Sequence, residues 1–126
     1  MNKNIGQNTE VWSDYWGEHN PIREIQKWDF FGTRQWITKY VPRNGKVLEA
    51  GCGLGKWVFY LSEFGIDIEG LDFSENVIDN LNKWKSKYNY STDFNVGDVK
   101  KLPYQDNSLS GYISLGVIEH FIEGPE

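Results

Sequence analysis

Near the middle of the chain the run Glu49-Ala50-Gly51-Cys52-Gly53-Leu54-Gly55 has the composition of a ligand cradle. Three glycines at alternate positions let a backbone turn tightly. They also leave main-chain atoms open to a ligand, because no Cβ stands in the way. A helix beginning at Lys56 would point its N-terminus at the same place and favour an anionic or electron-rich group. The plain alternative is a strand-to-helix connection and nothing more. Spacing separates two ligand classes. The dinucleotide fingerprint runs G-x-G-x-x-G. Here the run is G-x-G-x-G, with Lys56 and Trp57 where the third dinucleotide glycine is expected. Glu49, ahead of the first glycine, would repel a pyrophosphate and suits a cationic ligand.

Two further carboxylates fall at related places. Asp72 follows Gly55 by 17 residues, at the end of the next apolar run. A carboxylate there can accept both hydroxyls of a ribose, and Phe73 would then lie beside an adenosine. The alternative for Asp72 is a cap on a helix that starts at Ser74. Asp98 follows Gly97 at the end of a third run. Its carboxylate can accept from an exocyclic amine while the N–H of Val99 donates to a ring nitrogen, which reads adenine by its edge. The alternative for Asp98 is a turn aspartate.

These groups need elements to position them. Residues 46–50 read as a short buried strand, 56–64 as a helix closed by Gly65, and 66–71 as a strand in which Asp67 and Glu69 alternate with apolar residues. Ser74 caps a helix to about residue 88, with Val77, Ile78, Leu81 and Trp84 on one stripe. Residues 92–96 read as a third strand, 101–107 as a loop, 109–115 as a fourth strand, and 117–121 as the start of another helix or loop. Upstream, 9–18 reads as a short amphipathic helix. Asn20-Pro21 starts a second one that runs towards residue 40, with Gly32 as a break, and residues 42–45 form a turn. The order predicts an α/β protein: a Rossmann-like, doubly wound, mostly parallel sheet preceded by N-terminal helices. We expect a single domain, with the helices in 1–42 and an incomplete β/α core in 43–126. In such sheets ligands lie beyond the carboxyl ends of the strands, where the glycines, Asp72, Asp98 and the stretch from Gly116 to His120 all fall.

Composition narrows the partners. The chain has 126 residues, enough for one core. Its net charge of −5 disfavours nucleic acid and an anionic membrane surface. No apolar segment reads as a signal peptide or a membrane span, so a cytoplasmic protein is expected. One cysteine and two histidines supply no metal-ligand set, and Cys52 reads as a small packing residue between glycines. The aromatic residues, 16% of the chain, are expected to build the core, some of them walling a pocket.

Four segments, Val47-Leu-Glu-Ala-Gly-Cys-Gly-Leu-Gly55, Ile68-Glu-Gly-Leu-Asp-Phe-Ser74, Asn95-Val-Gly-Asp-Val99 and Ser114-Leu-Gly-Val-Ile-Glu-His120, together resemble the class I S-adenosylmethionine-dependent methyltransferases. The branch most resembled methylates small molecules, the ubiquinone and menaquinone type included. The resemblance runs from about residue 40 to the end. It implies S-adenosyl-L-methionine as cofactor, S-adenosyl-L-homocysteine as product and a small-molecule acceptor. It implies that Glu49, Gly51, Cys52, Gly53 and Gly55 hold the methionine amino and carboxylate ends, and that Asp72 with Phe73 takes the ribose. Asp98 and Val99 would read adenine, and Leu115 and Gly116 would line the methionine and sulfonium region. An N-terminal aromatic helix would close over the cofactor, with Tyr15 and Trp16 as candidates. His120 is the one candidate for a base, against the preferred reading of a histidine that bonds its own loop; methyl transfer from an activated sulfonium relies chiefly on positioning.

The family sheet has seven strands and this sequence supplies four. The expectation is therefore an N-terminal, cofactor-binding part, either truncated after the fourth strand or ending in an exposed edge. Such an edge would pair with a second copy in a homodimer. The competing functions are a methyltransferase, a truncated S-adenosylmethionine-binding module without turnover of its own, and a nicotinamide-dependent oxidoreductase, which the glycine spacing disfavours.

Overall fold

The structure, a computed structural model, describes residues 32–117. The helices expected over 9–18 and 20–31, the candidates Tyr15, Trp16 and His120, His19, and the piece 118–121 lie outside the described residues.

Gly32 sits in the left-handed region (φ 64°) and begins helix α1 (Thr33–Tyr40), the expected break. Ile37 turns inward to the core, and the N–H of Val41 closes the helix on the Ile37 carbonyl at 2.9 Å. Pro42 cannot continue a helix, and a bend leads into strand β1 (Val47–Ala50). After the glycine turn come helix α2 (Lys56–Ser62) and strand β2 (Ile68–Asp72). Gly65, with φ 75°, stops the chain past α2 as expected.

Ser74 caps helix α3 (Glu75–Lys87) by accepting the N–H of Val77 on its hydroxyl at 3.3 Å. Val77, Ile78 and Leu81 form its buried stripe. Strands β3 (Phe94–Val96) and β4 (Gly111–Ile113) complete the sheet. Both are shorter than expected: β3 begins two residues late and β4 is trimmed at both ends, because only these residues find ladder partners.

All the pairings are parallel and the strand order is β3-β2-β1-β4. The chain leaves β1 for β2 on one side and returns to its other side as β4. That reversal opens a crevice at the carboxyl ends of β1 and β4. On one face, α2 and α3 bury Val47, Val58, Phe59, Leu61, Ile68 and Phe94 among others. On the other face, Leu48, Ala50 and Leu71 lie under Val99, Leu102, Tyr104 and Leu109, all from the connection between β3 and β4.

Covering both faces changes the reading of β2. Its alternation suggested one solvated face, yet every residue of β2 is buried, Glu69 included at 7% exposure. Parallel strands are normally covered on both sides, and here a loop covers the second. Aromatic residues divide in the same way: Trp57, Phe59 and Phe94 are core, while Trp36, Tyr40, Phe64, Phe73, Tyr88 and Tyr112 stay largely exposed. No helix among the described residues is long and apolar enough to cross a membrane.

Candidate functional site

The site is built outward from the end of β1. Gly51, Gly53 and Gly55 all have positive φ, at 73°, 52° and 66°. This left-handed backbone is open to glycine and strained for other residues. Close approach adds a second reason at two of them. A Cβ on Gly55 would meet Phe94 Cε1 at 2.8 Å and Leu81 Cδ2 at 3.0 Å. A Cβ on Gly51 would meet Val117 Cγ2 at 2.5 Å. The stretch after β4, with Leu115 exposed and Gly116 at φ 68°, therefore passes directly over the turn. Val117 thus lies against the glycine turn, with Gly116 and Leu115 just before it in the chain.

Two backbone bonds hold the turn to β2, since the N–H groups of Gly51 and Cys52 both donate to the Leu71 carbonyl, at 2.7 and 2.9 Å. Asp72, one residue further, accepts the N–H of Gly53 on Oδ2 at 3.0 Å and that of Ser74 on Oδ1 at 3.1 Å. Its carbonyl accepts the N–H of Gly97 at 2.9 Å, which sets Asp98 beside the same corner. One residue therefore joins the turn, the entry to α3 and the end of β3. Ser74, not Asp72, is the cap of α3, and Asp72 instead holds the N–H of that cap residue; each of its carboxylate oxygens keeps a lone pair. Phe73 projects next to it, 40% exposed.

Asp98 is exposed and organises a turn of its own: its Oδ1 accepts the N–H of Lys100 at 2.8 Å and its carbonyl that of Lys101 at 3.0 Å. Val99 is partly buried against Leu48, Ala50 and Leu71. The turn-aspartate reading is thus correct as geometry, and it fixes where the carboxylate and the Val99 backbone lie.

Electrostatics single out Glu49. It is buried, and its Oε2 has no hydrogen-bond partner among the described residues. Burial pushes its carboxyl up to about 8 and the Asp72 carboxylate adds to that; the Lys56 ammonium and the Val58 N–H pull the other way. Burial also raises Asp72, opposed by the N–H groups of Ser74, Gly53 and Phe73. Two buried carboxyls facing one turn make a place where a cation is welcome and a pyrophosphate is not. Cys52 sits between them with its thiol pushed far up, by burial first and then by Asp72 and Glu49. It is a packing residue, buried near Gly70, where an added Cβ would meet its sulfur at 2.9 Å.

Glu69 went unassigned in the sequence, although a charged residue inside an apolar strand was the available signal. Its carboxylate accepts from Lys46 Nζ at 3.0 Å and from the Tyr104 hydroxyl. The pass of Val117 over Gly51 carried no sequence signal.

The described residues thus combine a Rossmann-like sheet, a glycine turn, two carboxylates at neighbouring strand ends and an acidic residue ahead of the turn. A family model described as "Methyltransferase domain" matches residues 47–126, and the chain belongs to that family, as a class I S-adenosylmethionine-dependent methyltransferase. Phosphoethanolamine N-methyltransferase 3 of Arabidopsis thaliana is 36% identical over 95 residues, covering 74% of this chain and 19% of the relative. A demethylmenaquinone methyltransferase of Staphylococcus aureus is 33% identical over 79 residues, covering 60% and 32%. Among solved structures, the PH0226 protein of Pyrococcus horikoshii OT3 superposes with a TM-score of 0.67 at 29% identity, over 77% of this chain and 48% of the other. The chain thus spans about a fifth to a third of the length of these two curated relatives.

Proposed function

We propose that this chain binds S-adenosylmethionine at the turn between β1 and α2 and takes part in methyl transfer to a small-molecule acceptor. The observation that carries this is the buried, unpartnered Oε2 of Glu49 at the head of a cradle that side chains would fill. A buried carboxylate oxygen without a partner is costly, and a ligand ammonium relieves that cost. In this reading Glu49 takes the amino end of the methionine moiety. Gly51, Cys52, Gly53 and Gly55 leave room for its backbone, and Leu115 and Gly116 border the sulfonium. Asp72 takes the ribose with Phe73 alongside, and Asp98 and Val99 take adenine. When bound, the cofactor supplies a methyl group already activated on sulfur. The chain's own work is to hold and orient it.

The acceptor reading is supported by the names of the relatives, which act on phosphoethanolamine and demethylmenaquinone, both small molecules. Calorimetry with S-adenosylmethionine and S-adenosylhomocysteine tests the binding claim; no heat at millimolar ligand sinks it. The competing reading is a binding module without turnover of its own. Formation of S-adenosylhomocysteine with a panel of small acceptors decides between the two.

Self-association through β4 belongs to the same proposal. No described strand pairs with its outer edge, and Tyr112 and Leu115 are exposed beside it. Light scattering at tens of micromolar protein should report a dimer, and a monomer mass there removes this part of the reading.

A further inference from the structure

The buried Glu69 and the partly exposed Lys46 and Tyr104 form a polar cluster on the sheet face away from the helices, and nothing in the cofactor reading uses it. Burying Glu69 in a strand covered on both sides is expensive without partners. Its partners come from either side: Lys46 from just before β1, at 3.0 Å, and the Tyr104 hydroxyl from the long connection between β3 and β4. A hydroxyl donating to a carboxylate is among the stronger hydrogen bonds.

That connection contains no helix or strand, yet its first residues are the pair proposed to read adenine. Three anchors define its path. The Gly97 N–H is held by the Asp72 carbonyl at 2.9 Å at the start. The Tyr104 hydroxyl is held by Glu69 in the middle. The Ser110 N–H is held by the Lys46 carbonyl at 2.7 Å at the end. Lys46 also binds Glu69 through its side chain, so the middle and final anchors share one cluster. Between the first two anchors lie the Asp98 turn, bridged to Lys101, and Val99 and Leu102, which pack on Leu48, Ala50 and Leu71.

We infer that Tyr104, held by Glu69, is a positioning residue that keeps the Asp98–Val99 edge in register with an adenine ring and so sets the base specificity of the cofactor site. The inference rests on the adenine reading proposed above. Tyr104 contacts no ligand itself. It fixes the free half of a loop whose other half is fixed by Asp72.

The test compares S-adenosylhomocysteine with S-inosylhomocysteine by calorimetry, on the full chain. Hypoxanthine presents a carbonyl where adenine presents an amine, and a ring N–H where adenine presents a bare nitrogen. Asp98 and the Val99 N–H are then both mismatched. Wild type should prefer the adenine ligand. Tyr104→Phe keeps the ring against the Leu48, Ala50 and Leu71 cluster and removes only the hydroxyl; it should lower that preference by about fivefold, the scale of one ordinary net hydrogen bond. Glu69→Gln, which weakens the same anchor from the other side, should move the preference the same way and guards against a poorly folded Tyr104 variant. Equal loss of affinity for both ligands, with the preference intact, makes Tyr104 merely structural and overturns the inference. Wild type that binds both ligands equally also overturns it, while leaving the cofactor site standing. Wild type that binds neither removes the cofactor reading and this inference together.

Discussion

Asp72 accepts the Gly53 N–H on Oδ2 at 3.0 Å, so the carboxylate at the end of β2 is bonded directly to the middle glycine of the turn after β1. Its other oxygen holds Ser74 at 3.1 Å. The side chain proposed to take the ribose is therefore also the one that shapes the cradle. Asp72→Ala leaves two N–H groups without their acceptor and should destabilise the fold by about 1–3 kcal/mol. It should also weaken S-adenosylhomocysteine binding about tenfold or more, because the ribose acceptor is lost along with the shape of the turn. Denaturant unfolding and calorimetry on the same sample check both. Unchanged affinity refutes the ribose role.

Gly55 closes the turn under Phe94 and Leu81. Gly55→Ala adds a Cβ 2.8 Å from Phe94 Cε1 in a backbone with φ 66°. The left-handed backbone costs about 1–2 kcal/mol for alanine, and overpacking adds about 1–3 kcal/mol. A combined loss of about 2–5 kcal/mol in unfolding free energy is expected. A loss under half a kcal/mol would mean the turn is looser than its contacts imply.

Ser74 offers a measurement at the entry to α3. Its hydroxyl caps α3 at the Val77 N–H. Ser74→Ala should cost about 1 kcal/mol and leave ligand affinity within twofold. A large change in affinity would show that the entry to α3 is part of the ligand site.

Local signals were legible where one residue acts through its own backbone. Gly32 as a break, Gly65 as a stop and Ser74 as a cap each follow from conformational or capping preferences that need no tertiary partner. A parallel sheet followed from the alternation of strands and helices, while its strand order came only with the structure. Pair relationships across the sheet were not legible. Asp72 was read as a ribose acceptor or a helix cap, and the structure shows a third bond, to Gly53, that spans 19 residues of sequence. Glu69 read as a solvated alternation, because the cover over that face is a loop whose packing residues, Val99, Leu102, Tyr104 and Leu109, show no regular period. The strands were overestimated at the start of β3 and at both ends of β4, where the flanking residues find no ladder partner.

Glu49 gives the prediction with the clearest sign. In the folded chain burial raises its carboxyl to about 8, against an ordinary value of 4.5. The fold therefore holds a proton here that the unfolded chain gives up first. The resulting stability is fully present below about pH 4.5, is lost as pH rises, and is gone above about pH 8. The slope from this one group is at most about 1.4 kcal/mol per pH unit. Glu49→Gln cannot titrate, so the stability difference between wild type and variant should shift in the variant's favour between pH 5 and pH 8. Denaturant midpoints at a series of pH values measure it. A ligand ammonium beside Glu49 reverses the balance by favouring the carboxylate, so binding must expel the proton. Calorimetry of S-adenosylhomocysteine in buffers of different ionisation enthalpy should show release approaching one proton near pH 6, and little above pH 8. Glu49→Gln should release none at either pH. Equal proton release from wild type and variant would place the ammonium elsewhere and remove Glu49 from the site.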